Sequence, residues 1–477
     1  MTSAAEEIGY PDSFAAAFEH SITWEDDVWQ ADPVDVEEVH LKARQKFYDL
    51  LDAVTSNKNG RGATQARILL FHGQSGAGKT HLVRALRTKS HRDGKAYFGY
   101  AQMTPDVGPF ADYFLRRLCH SLERPDDPDG DSESGLSRLT RRLFEAALPA
   151  GEIEKLREGD LGEEELAHLV LDLADDILIS DAFADQELDV NIIRALLYLQ
   201  RCDPRIDQRV RQYLFGRELN ELSHRSVRAL DPNSGDGRAF EIIEALGKIV
   251  WTVEQSAMIF CIDQVEDLRN FEDPEDRFTK AVGNLMQIAN RVPSSIIIIS
   301  VLEEFYGQAR AVLHQSYIDR IEKAGPVALY ENRTAEEARL IIGKRLEHEA
   351  LLHSDGPSYP DSASFFGPEF FEEFAGLSTR RLLEHAQNRV RANGEDEPQA
   401  VEEDSPTGFI STLASALGFA PDNDEPANVS VMQVDYREMW DRFCNSSEAE
   451  IPSDDQELLD VLGNTLTLAS AEWGGEL

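Results

Sequence analysis

The sequence predicts an α/β fold in which helices cover a parallel central sheet, with a large helical insertion, a helical lid subdomain and a small acidic C-terminal region. Three observations predict this fold. An apolar segment at residues 67–72 runs directly into a glycine-rich loop and a helical pattern. Almost uninterrupted apolar segments recur at residues 257–262 and 294–301, as expected for strands that are buried on both faces. Helical periodicity occupies most of the remaining chain.

The first elements follow from the spacing of apolar residues. From Asp35, apolar residues including Val36 and Val39 recur at helical spacing, which predicts one helix before the Asn59-Gly60 turn. Beyond this turn we expect, in order, a strand at 67–72, a helix at 81–87 and a strand at 96–101.

The middle of the chain is predicted to be mainly helical, and a helical module follows the last strand. Helices are expected at 111–122, 137–148, 163–179, 190–199 and 239–253, and strands at 257–262, 294–301 and 327–330. Thr334 and Glu337 have the spacing of a capping box, in which each residue bonds the backbone of the other at a helix start. Two further short helices are expected around residues 370–374 and 382–390.

These elements divide the chain into six predicted regions. The 184 positions between Lys79 and Asp263 exceed what a strand–helix–strand crossover needs, so most of this stretch is predicted to be an insertion. The regions are an N-terminal arm and helix (1–60), a discontinuous nucleotide-binding core (61–117 and 239–330), a helical insertion (118–238), a helical lid (331–395), an acidic linker (396–428) and a small helical C-terminal region (429–477).

The charge of the chain argues against direct binding to nucleic acid. Asp and Glu total 88 against 47 Lys and Arg, which gives a net charge of −41. Such a chain is repelled by phosphate backbones on average, so a nucleic-acid contact would need a local basic patch or a basic partner.

Cysteine spacing and the termini indicate a cytoplasmic protein. Cys119, Cys202, Cys261 and Cys444 have no C-x-x-C spacing, which disfavours a disulfide framework or a zinc site. The acidic N-terminus lacks the pattern of a signal peptide, and the apolar segments are too short to span a membrane.

The glycine-rich loop carries the most specific signal. Gly73–Thr80 matches G-x-x-x-x-G-K-[ST], the P-loop, whose backbone N–H groups surround phosphates at a helix N-terminus. Lys79 is expected to reach the β- and γ-phosphate oxygens, and the Thr80 hydroxyl to ligate Mg²⁺. The predicted ATP-binding residues are Gly73, Gln74, Ser75, Gly76, Ala77, Gly78, Lys79, Thr80 and His81.

An acidic residue at the end of the next buried strand completes the predicted metal site. Asp263 follows residues 257–262 and is expected to hold Mg²⁺ together with Thr80. Gln264 occupies the position that usually carries the glutamate which polarises the attacking water, and an amide cannot act as a base. Glu266 is therefore the predicted catalytic base, with Asp267 as the alternative.

Three further polar residues are candidates for contact with the γ-phosphate. Ser300 directly follows Ile296–Ile299 and is predicted to be a sensor at the tip of that strand, although a turn residue would look the same. Arg380, with Arg381 as the alternative, is predicted to reach the phosphates from the lid, unless the pair is simply solvated. Arg320 is predicted to be an arginine finger for a neighbouring subunit, or else to pair internally with Asp319 or Glu322.

The order of these motifs resembles AAA+ ATPases, and the layout is closest to the initiator-like and STAND-like branches. Asp263–Leu268 is similar to the D-Q-x-E-E-L strand end of bacterial STAND-type NTPases, and Arg320–Leu346 to the stretch that leads into an initiator-type lid. The resemblance covers residues 61–117 and 239–395. Initiators carry a basic winged-helix domain at the C-terminus, whereas residues 393–477 are acidic, which puts DNA binding by that end in doubt.

The resemblance implies an ATP-hydrolysing switch that couples nucleotide state to assembly with a partner protein or a DNA-bound complex. Arg209–Gly216 is similar to a segment of ATP-binding proteins in BREX-type systems, which implies a setting in prokaryotic anti-phage defence. ATP and Mg²⁺ are the implied cofactors, and a nucleotide-dependent homo-oligomer is the implied assembly. A scaffold that binds ATP with little hydrolysis is the alternative that Gln264 favours, and a small-molecule kinase is a third class.

Overall fold

The structure is a computed structural model of the 477-residue chain. All of the residues described below belong to one unit, Met1–Pro398. They are residues 15, 17–18, 26–30, 32–56, 67–104, 109–125, 133–149, 151–157, 161–184, 186–235, 237–270, 273–352 and 365–394.

A five-stranded parallel sheet lies at the centre of the described residues. Its strands are β1 (Arg67–Gly73), β2 (Ala96–Gln102), β3 (Ala257–Asp263), β4 (Ser295–Leu302) and β5 (Val327–Leu329). They lie in the order β2-β3-β4-β1-β5, and every neighbouring pair is parallel. The predicted α/β fold with a parallel sheet is confirmed. Because parallel strands end at one edge, the loops after β1, β3 and β4 meet there.

Helices fill the connections between the strands. In chain order they are α1 (Leu41–Thr55), α2 (Lys79–Arg92), α3 (Phe110–Glu123), α4 (Gly135–Ala147), α5 (Glu152–Arg157), α6 (Glu163–Ile179), α7 (Val190–Leu199), α8 (Pro204–Leu214), α9 (Glu221–His224), α10 (Arg238–Glu254), α11 (Pro274–Arg291), α12 (Glu303–Val312), α13 (Gln315–Ile321), α14 (Ala335–Leu352), α15 (Pro368–Glu373) and α16 (Thr379–Gly394). Short 3₁₀ helices lie at Asp26–Trp29, Arg225–Val227 and Val265–Asn270.

Each face of the sheet packs against its own layer of helices. On β1, Leu69 and Phe71 belong to one buried cluster, whereas Ile68 and Leu70 belong to the other, because successive side chains of a strand point to opposite faces. The first cluster includes α1 and α2, and the second includes α3, α10 and α11. Coverage of both faces explains the almost continuous apolar sequences of β3 and β4.

The helices between β2 and β3 share the core of the second sheet face. Leu139 of α4, Val170 of α6 and Ile193 of α7 are buried in the same cluster as Leu70 and Ile297 of the sheet. The residues that we predicted to be an insertion are therefore built onto the hydrophobic core of the sheet itself.

A third buried cluster joins α14, α15 and α16 into a lid beside the sheet. The predicted capping box at its start is confirmed. Thr334 Oγ1 accepts from the Glu337 N–H at 3.1 Å, and Glu337 Oε2 accepts from the Thr334 N–H at 2.9 Å. The buried residues of the three helices are Ala338, Ile341, Ile342, Leu346, Phe370, Phe371, Leu382, Leu383, Ala386 and Val390.

The predicted helix from Asp35 is wrong at its start. Helix α1 begins at Leu41, and residues 37–40 form turns that end at His40, whose φ is 59°. Val36 and Val39 pack in the lid cluster, whereas Phe47 of α1 packs in the first of the two clusters that cover the sheet. The apolar residues that share one helical spacing in the sequence thus belong to two different buried clusters. The segment before α1 connects these two clusters.

Two other boundaries bear on the site. The helix after the glycine-rich loop runs from Lys79 to Arg92, longer than predicted at both ends. Strand β4 continues to Leu302, so Ser300 lies within the strand and is not at its tip.

The predicted acidic linker (396–428) and the C-terminal helical region (429–477) lie outside the described residues. Within the described residues, no helix is long and apolar enough to cross a membrane.

Candidate nucleotide-binding site

The glycine-rich loop lies between β1 and α2 at the carboxyl edge of the sheet. A Cβ on Gly73 would lie 2.4 Å from the carbonyl oxygen of Leu329 in β5, so only glycine fits at this position. Gly78 is the residue that precedes α2 and has a φ of +88°, a conformation that favours glycine. The loop therefore directs its backbone and the positive end of α2 toward one cavity.

Lys79 and Thr80, the first residues of α2, point their side chains into the site. Lys79 Nζ donates to the carbonyl oxygens of Gly73 and Gln74, at 3.2 and 3.0 Å. Burial lowers the pKa of Lys79, while Glu266 and Asp263 raise it. The ammonium group thus lies at the loop beside two acidic side chains.

Thr80 and Asp263 connect the loop to the acidic strand end. Thr80 Oγ1 donates to Asp263 Oδ2 at 2.7 Å across 183 positions of sequence. Asp263 is fully buried, and its other oxygen accepts from the Gln264 N–H at 3.0 Å. The hydroxyl and the carboxylate, which were predicted as the Mg²⁺ ligands, are therefore in contact.

Tyr100, which the sequence did not single out, supports the same carboxylate. Its hydroxyl donates to Asp263 Oδ2 at 3.2 Å from the neighbouring strand β2. Burial and the adjacent Asp263 raise the pKa of Tyr100, so the phenol remains a donor at neutral pH. A tyrosine one position before a predicted strand end carries no motif, and the sequence does not show that its strand lies beside Asp263.

The residues after Asp263 form a 3₁₀ helix that presents the candidate bases. Gln264 has a φ of 54°, and its amide oxygen accepts a hydrogen bond from Gln102 Nε2 at the end of β2. Glu266 Oε2 accepts from the Leu302 N–H at 3.1 Å. Burial raises the pKa of Glu266, and burial and the nearby Asp263 also raise that of Asp267.

A cavity of about 480 Å³ opens between the loop, the acidic strand end and the lid. This volume lies in the ~300–1,000 Å³ range of small-molecule sites. The polar lining residues include Lys79, Thr80, Asp263 and Glu266, and Arg380 lines the cavity from the lid. The apolar wall comes from the segment before α1 and from the lid, through Val34, Val36, Val39, Ile341 and Leu383.

Arg333 and His40 are two further site residues that sequence reasoning missed. Arg333, directly before the lid, is 4% exposed, and its Nη2 donates to the carbonyl oxygen of Ala77 in the loop at 3.0 Å. His40 Nε2 lies 2.8 Å from the same oxygen. Burial, and then the positive charge of Arg333, lower the pKa of His40 from 6.5 to about 4, so its ring is neutral at pH 7. In the sequence, the one available sign of these two residues was that Arg333 directly precedes the capping box.

A family model described as an AAA domain matches residues 61–225. The match supports an AAA-type P-loop ATPase. The matched stretch contains β1, the loop, α2 and β2, and it continues through most of the helices between β2 and β3. Neither curated proteins nor solved structures gave a match to the chain.

Of the other predicted site residues, one lines the cavity and two do not. Ser300 is fully buried within β4 and does not line the cavity, and within the described residues its hydroxyl has no hydrogen-bond partner. Arg320 Nη2 donates to Asn290 Oδ1 at 2.8 Å, so the predicted pairing with Asp319 or Glu322 does not form. Arg380 lines the cavity and is exposed, and Arg381 does not line it.

His81 lines the candidate site and lies beside two carboxylates. Its ring nitrogens lie 3.3 Å from Asp32 Oδ2 and 3.4 Å from Asp35 Oδ1. Asp35 is already bound by Arg44, which together with His81 lowers the pKa of Asp35 to about 2 against the opposing effect of burial. A larger cavity of about 820 Å³ adjoins this group between α1, α2 and α14, but it contains none of the predicted nucleotide-site residues.

The donor set of the cavity fits a magnesium nucleotide. Mg²⁺ prefers oxygen ligands and keeps several waters, and the Thr80 hydroxyl and the Asp263 carboxylate are such ligands. Phosphates fit the loop and the N-terminus of α2, beside the charge of Lys79. The apolar lining residues of the cavity suit a nucleobase.

Proposed function

We propose that this protein binds ATP with Mg²⁺ and hydrolyses it, and that the nucleotide state moves the lid and thereby changes assembly with a partner protein. The observation that carries the proposal is the hydrogen bond from Thr80 to Asp263. It joins the P-loop helix to the acidic strand end at the polar side of a cavity that the lid borders. ATP supplies the phosphates and the leaving group, and Mg²⁺ balances their charge.

Each residue has a defined part in this proposal. Lys79 binds the β- and γ-phosphate oxygens. Glu266 takes the proton of the attacking water, because Gln264 has no basic atom and Glu266 lines the cavity. Arg380 contacts the γ-phosphate from the lid, so that ATP and ADP stabilise different lid positions.

Substitution of Lys79 tests nucleotide binding. Lys79→Ala is expected to abolish binding of a slowly hydrolysed ATP analogue, because the phosphates lose their nearest cation; isothermal titration measures this. Lys89→Ala is the matched control, since Lys89 lies on the same helix with a side chain that is 40% exposed. Turnover by Lys79→Ala at the wild-type rate would show that this loop is not the ATP site.

Substitution of the two acids tests hydrolysis. Glu266→Gln is expected to bind ATP normally and to lose turnover by about 100-fold or more, as removal of a general base does. Asp267→Asn is measured in parallel. A large loss in Asp267→Asn with none in Glu266→Gln would transfer the role of the base to Asp267.

A scaffold that binds ATP without appreciable turnover is the second candidate function. Gln264 favours it, because this residue stands at the usual position of the base and bonds to Gln102. Release of inorganic phosphate by wild-type protein separates the two candidates. Tight ATP binding with no phosphate release, unchanged in Glu266→Gln, would establish the scaffold.

We also propose that ATP drives homo-oligomerisation and that Arg320 acts on the nucleotide of a neighbouring copy. Arg320 is partly exposed on α13 and is not a lining residue of its own cavity, as such a role requires. Arg320→Ala and Glu266→Gln proteins are each expected to be inactive, and their mixture to regain activity, because one supplies the base and the other the arginine. Wild-type turnover by Arg320→Ala alone would rule this out.

The partner is proposed to be a protein of a multi-component system, in line with the resemblance to prokaryotic defence ATPases. Light scattering with each candidate protein, in ATP analogue and in ADP, tests this. A complex that is equally stable with both nucleotides would contradict a nucleotide-dependent switch.

A further inference from the structure

The carbonyl oxygen of Ala77, within the P-loop, is held by two side chains that lie outside the loop. Arg333 Nη2 donates to it at 3.0 Å, and His40 Nε2 lies 2.8 Å away. A carbonyl can only accept, so we assign the proton of the neutral His40 ring to Nε2, which then donates to Ala77 as well. Arg333 Nη2 lies 3.3 Å from the same nitrogen and gives its hydrogen bond to the carbonyl. Ala77 is fully buried, and therefore the two bonds form away from competing water.

The position of this carbonyl determines where the next N–H points. The peptide unit is planar and trans, so the Ala77 C=O and the Gly78 N–H point in opposite directions. Gly78 is the N-cap residue of α2, where backbone N–H groups are available to bind an anion. With the carbonyl held toward Arg333 and His40, the Gly78 N–H points away from them. Rotation of this peptide would turn the N–H out of the phosphate-binding orientation.

The same guanidinium group also binds the lid. Arg333 Nη1 donates to the carbonyl of Tyr330, just after β5, at 2.9 Å, and Nε donates to Thr379 Oγ1, at the start of α16, at 2.9 Å. In addition, the backbone N–H of Arg333 donates to the carbonyl oxygen of Leu377 at 2.9 Å. One buried side chain therefore joins the P-loop, the sheet edge and the lid helix that carries Arg380.

We propose that Arg333 and His40 are positioning residues that hold the Ala77–Gly78 peptide in its phosphate-binding orientation only while the lid is docked. This inference rests on the proposed ATP site and adds a route by which that site communicates with the lid. Coupling of this kind is reciprocal, so a nucleotide that uses the Gly78 N–H stabilises the docked lid to the same extent that docking strengthens binding.

Hydrogen exchange with the full chain, with and without a slowly hydrolysed ATP analogue, tests the coupling. In wild type the analogue is expected to slow exchange in α2 and also in α14 and α16. Arg333→Met is expected to bind the analogue about tenfold more weakly, the effect of one lost bond from a charged donor. At saturating analogue it should retain protection of α2 and lose protection of the lid helices, which mere weakening of the site would not produce.

Substitutions of His40 keep the inference testable if Arg333→Met does not fold. His40→Phe removes the donor and keeps a planar ring, whereas His40→Gln returns an N–H near the position of Nε2. Binding of the analogue is expected to weaken by about tenfold in His40→Phe and to recover in His40→Gln. Arg339→Ala is the matched control on α14, where Arg339 pairs with Glu336 near the surface.

The possible outcomes separate the two proposals. If wild type binds no analogue, the proposed ATP site fails and the coupling fails with it. If wild type binds, and both Arg333→Met and His40→Phe bind and protect the lid as wild type does, the coupling alone is overturned. Equal weakening in His40→Phe and His40→Gln would also overturn it, because the hydrogen bond would then not be the cause.

Discussion

At the scale of single residues, burial of Glu266 makes a specific prediction about pH. Burial raises the pKa of Glu266 above its ordinary 4.5, against the opposing effect of Lys79 and of the bond from the Leu302 N–H. A base acts only when it is deprotonated, so turnover should fall as the pH falls through this raised pKa. Measurement of kcat from about pH 5 to about pH 8 is expected to show an acid limb with a midpoint above 4.5.

The same profile for Glu266→Gln is the control for this assignment. The residual kcat of Glu266→Gln should not show the acid limb, since the amide does not titrate between about pH 5 and about pH 8. An unchanged acid limb in the variant would assign the titration to another group, of which Asp267 is the nearest candidate.

Gly73 makes a prediction about steric fit. In Gly73→Ala the new Cβ would lie 2.4 Å from the Leu329 carbonyl, so β5 must shift, at a cost of about 1–3 kcal/mol in the free energy of unfolding. Chemical denaturation measures this cost. Gly307→Ala is the matched control, because Gly307 lies inside α12 and a methyl group added there would meet nothing within 4 Å, so that alanine should be neutral or stabilising.

Residue-level prediction from sequence was strongest where chemistry dictates spacing. The G-x-x-x-x-G-K-[ST] motif identified Lys79 and Thr80 as site residues, although the helix that they begin was predicted to start only at His81. An acid at the end of a buried strand led to Asp263. Arg333 was missed because its partner Ala77 is 256 positions away and a single arginine forms no pattern. Ser300 was misplaced because the sequence does not show where a strand ends.

At the scale of elements, the segment before α1 shows why a helical pattern can mislead. Val36 and Val39 have the spacing of a helix that continues to Val54, yet they pack against the lid. Periodicity in the sequence indicates which residues are buried, but it does not indicate which buried cluster each of them joins. The left-handed turn at His40 redirects the chain from one core to the other.

Burial of His40 in this segment makes the stability of the protein depend on pH. Its pKa is lowered from 6.5 to about 4, so the folded state resists protonation that the unfolded chain accepts. Above pH 6.5 His40 is neutral in both states. As the pH falls from 6.5 toward about 4, the unfolded chain takes up a proton that the folded state does not, which lowers the free energy of unfolding by about 3 kcal/mol in all. Urea unfolding at about pH 7 and about pH 4.5 should show a smaller loss in His40→Gln than in wild type. Equal losses would contradict the assignment.

At the scale of the whole molecule, the shared core predicts that the sheet and the helices between β2 and β3 unfold together. Ile193→Ala in α7 removes a fully buried side chain and should cost about 2–5 kcal/mol. Hydrogen exchange is expected to accelerate in β1 and β3 as well as in α7. Ile179→Ala, at a side chain that is 75% exposed, is the control. Acceleration confined to α4–α9 would show a separately folding region.

The architecture of the molecule was predictable only in outline. Apolar strands beside helical patterns predicted a parallel sheet, because strands buried on both faces need such sequences. The strand order was not predictable, since it depends on contacts between distant segments such as Ile68 with Ile297. For the same reason, the sequence did not show that Ile193 packs in the same hydrophobic core as the sheet.

The strand order has a consequence for the nascent chain. Among the described strands, β1 pairs with β4 and β5 and β2 pairs with β3, so the first two strands are not neighbours in the sheet. β4 is synthesised roughly 220 residues after β1, a delay of ~10–45 s at about 5–20 residues per second on the ribosome. β2 gains its partner β3 before the end of that time, whereas β1 has no neighbouring strand until β4 is made, so we expect the apolar side chains of β1 to stay exposed longest.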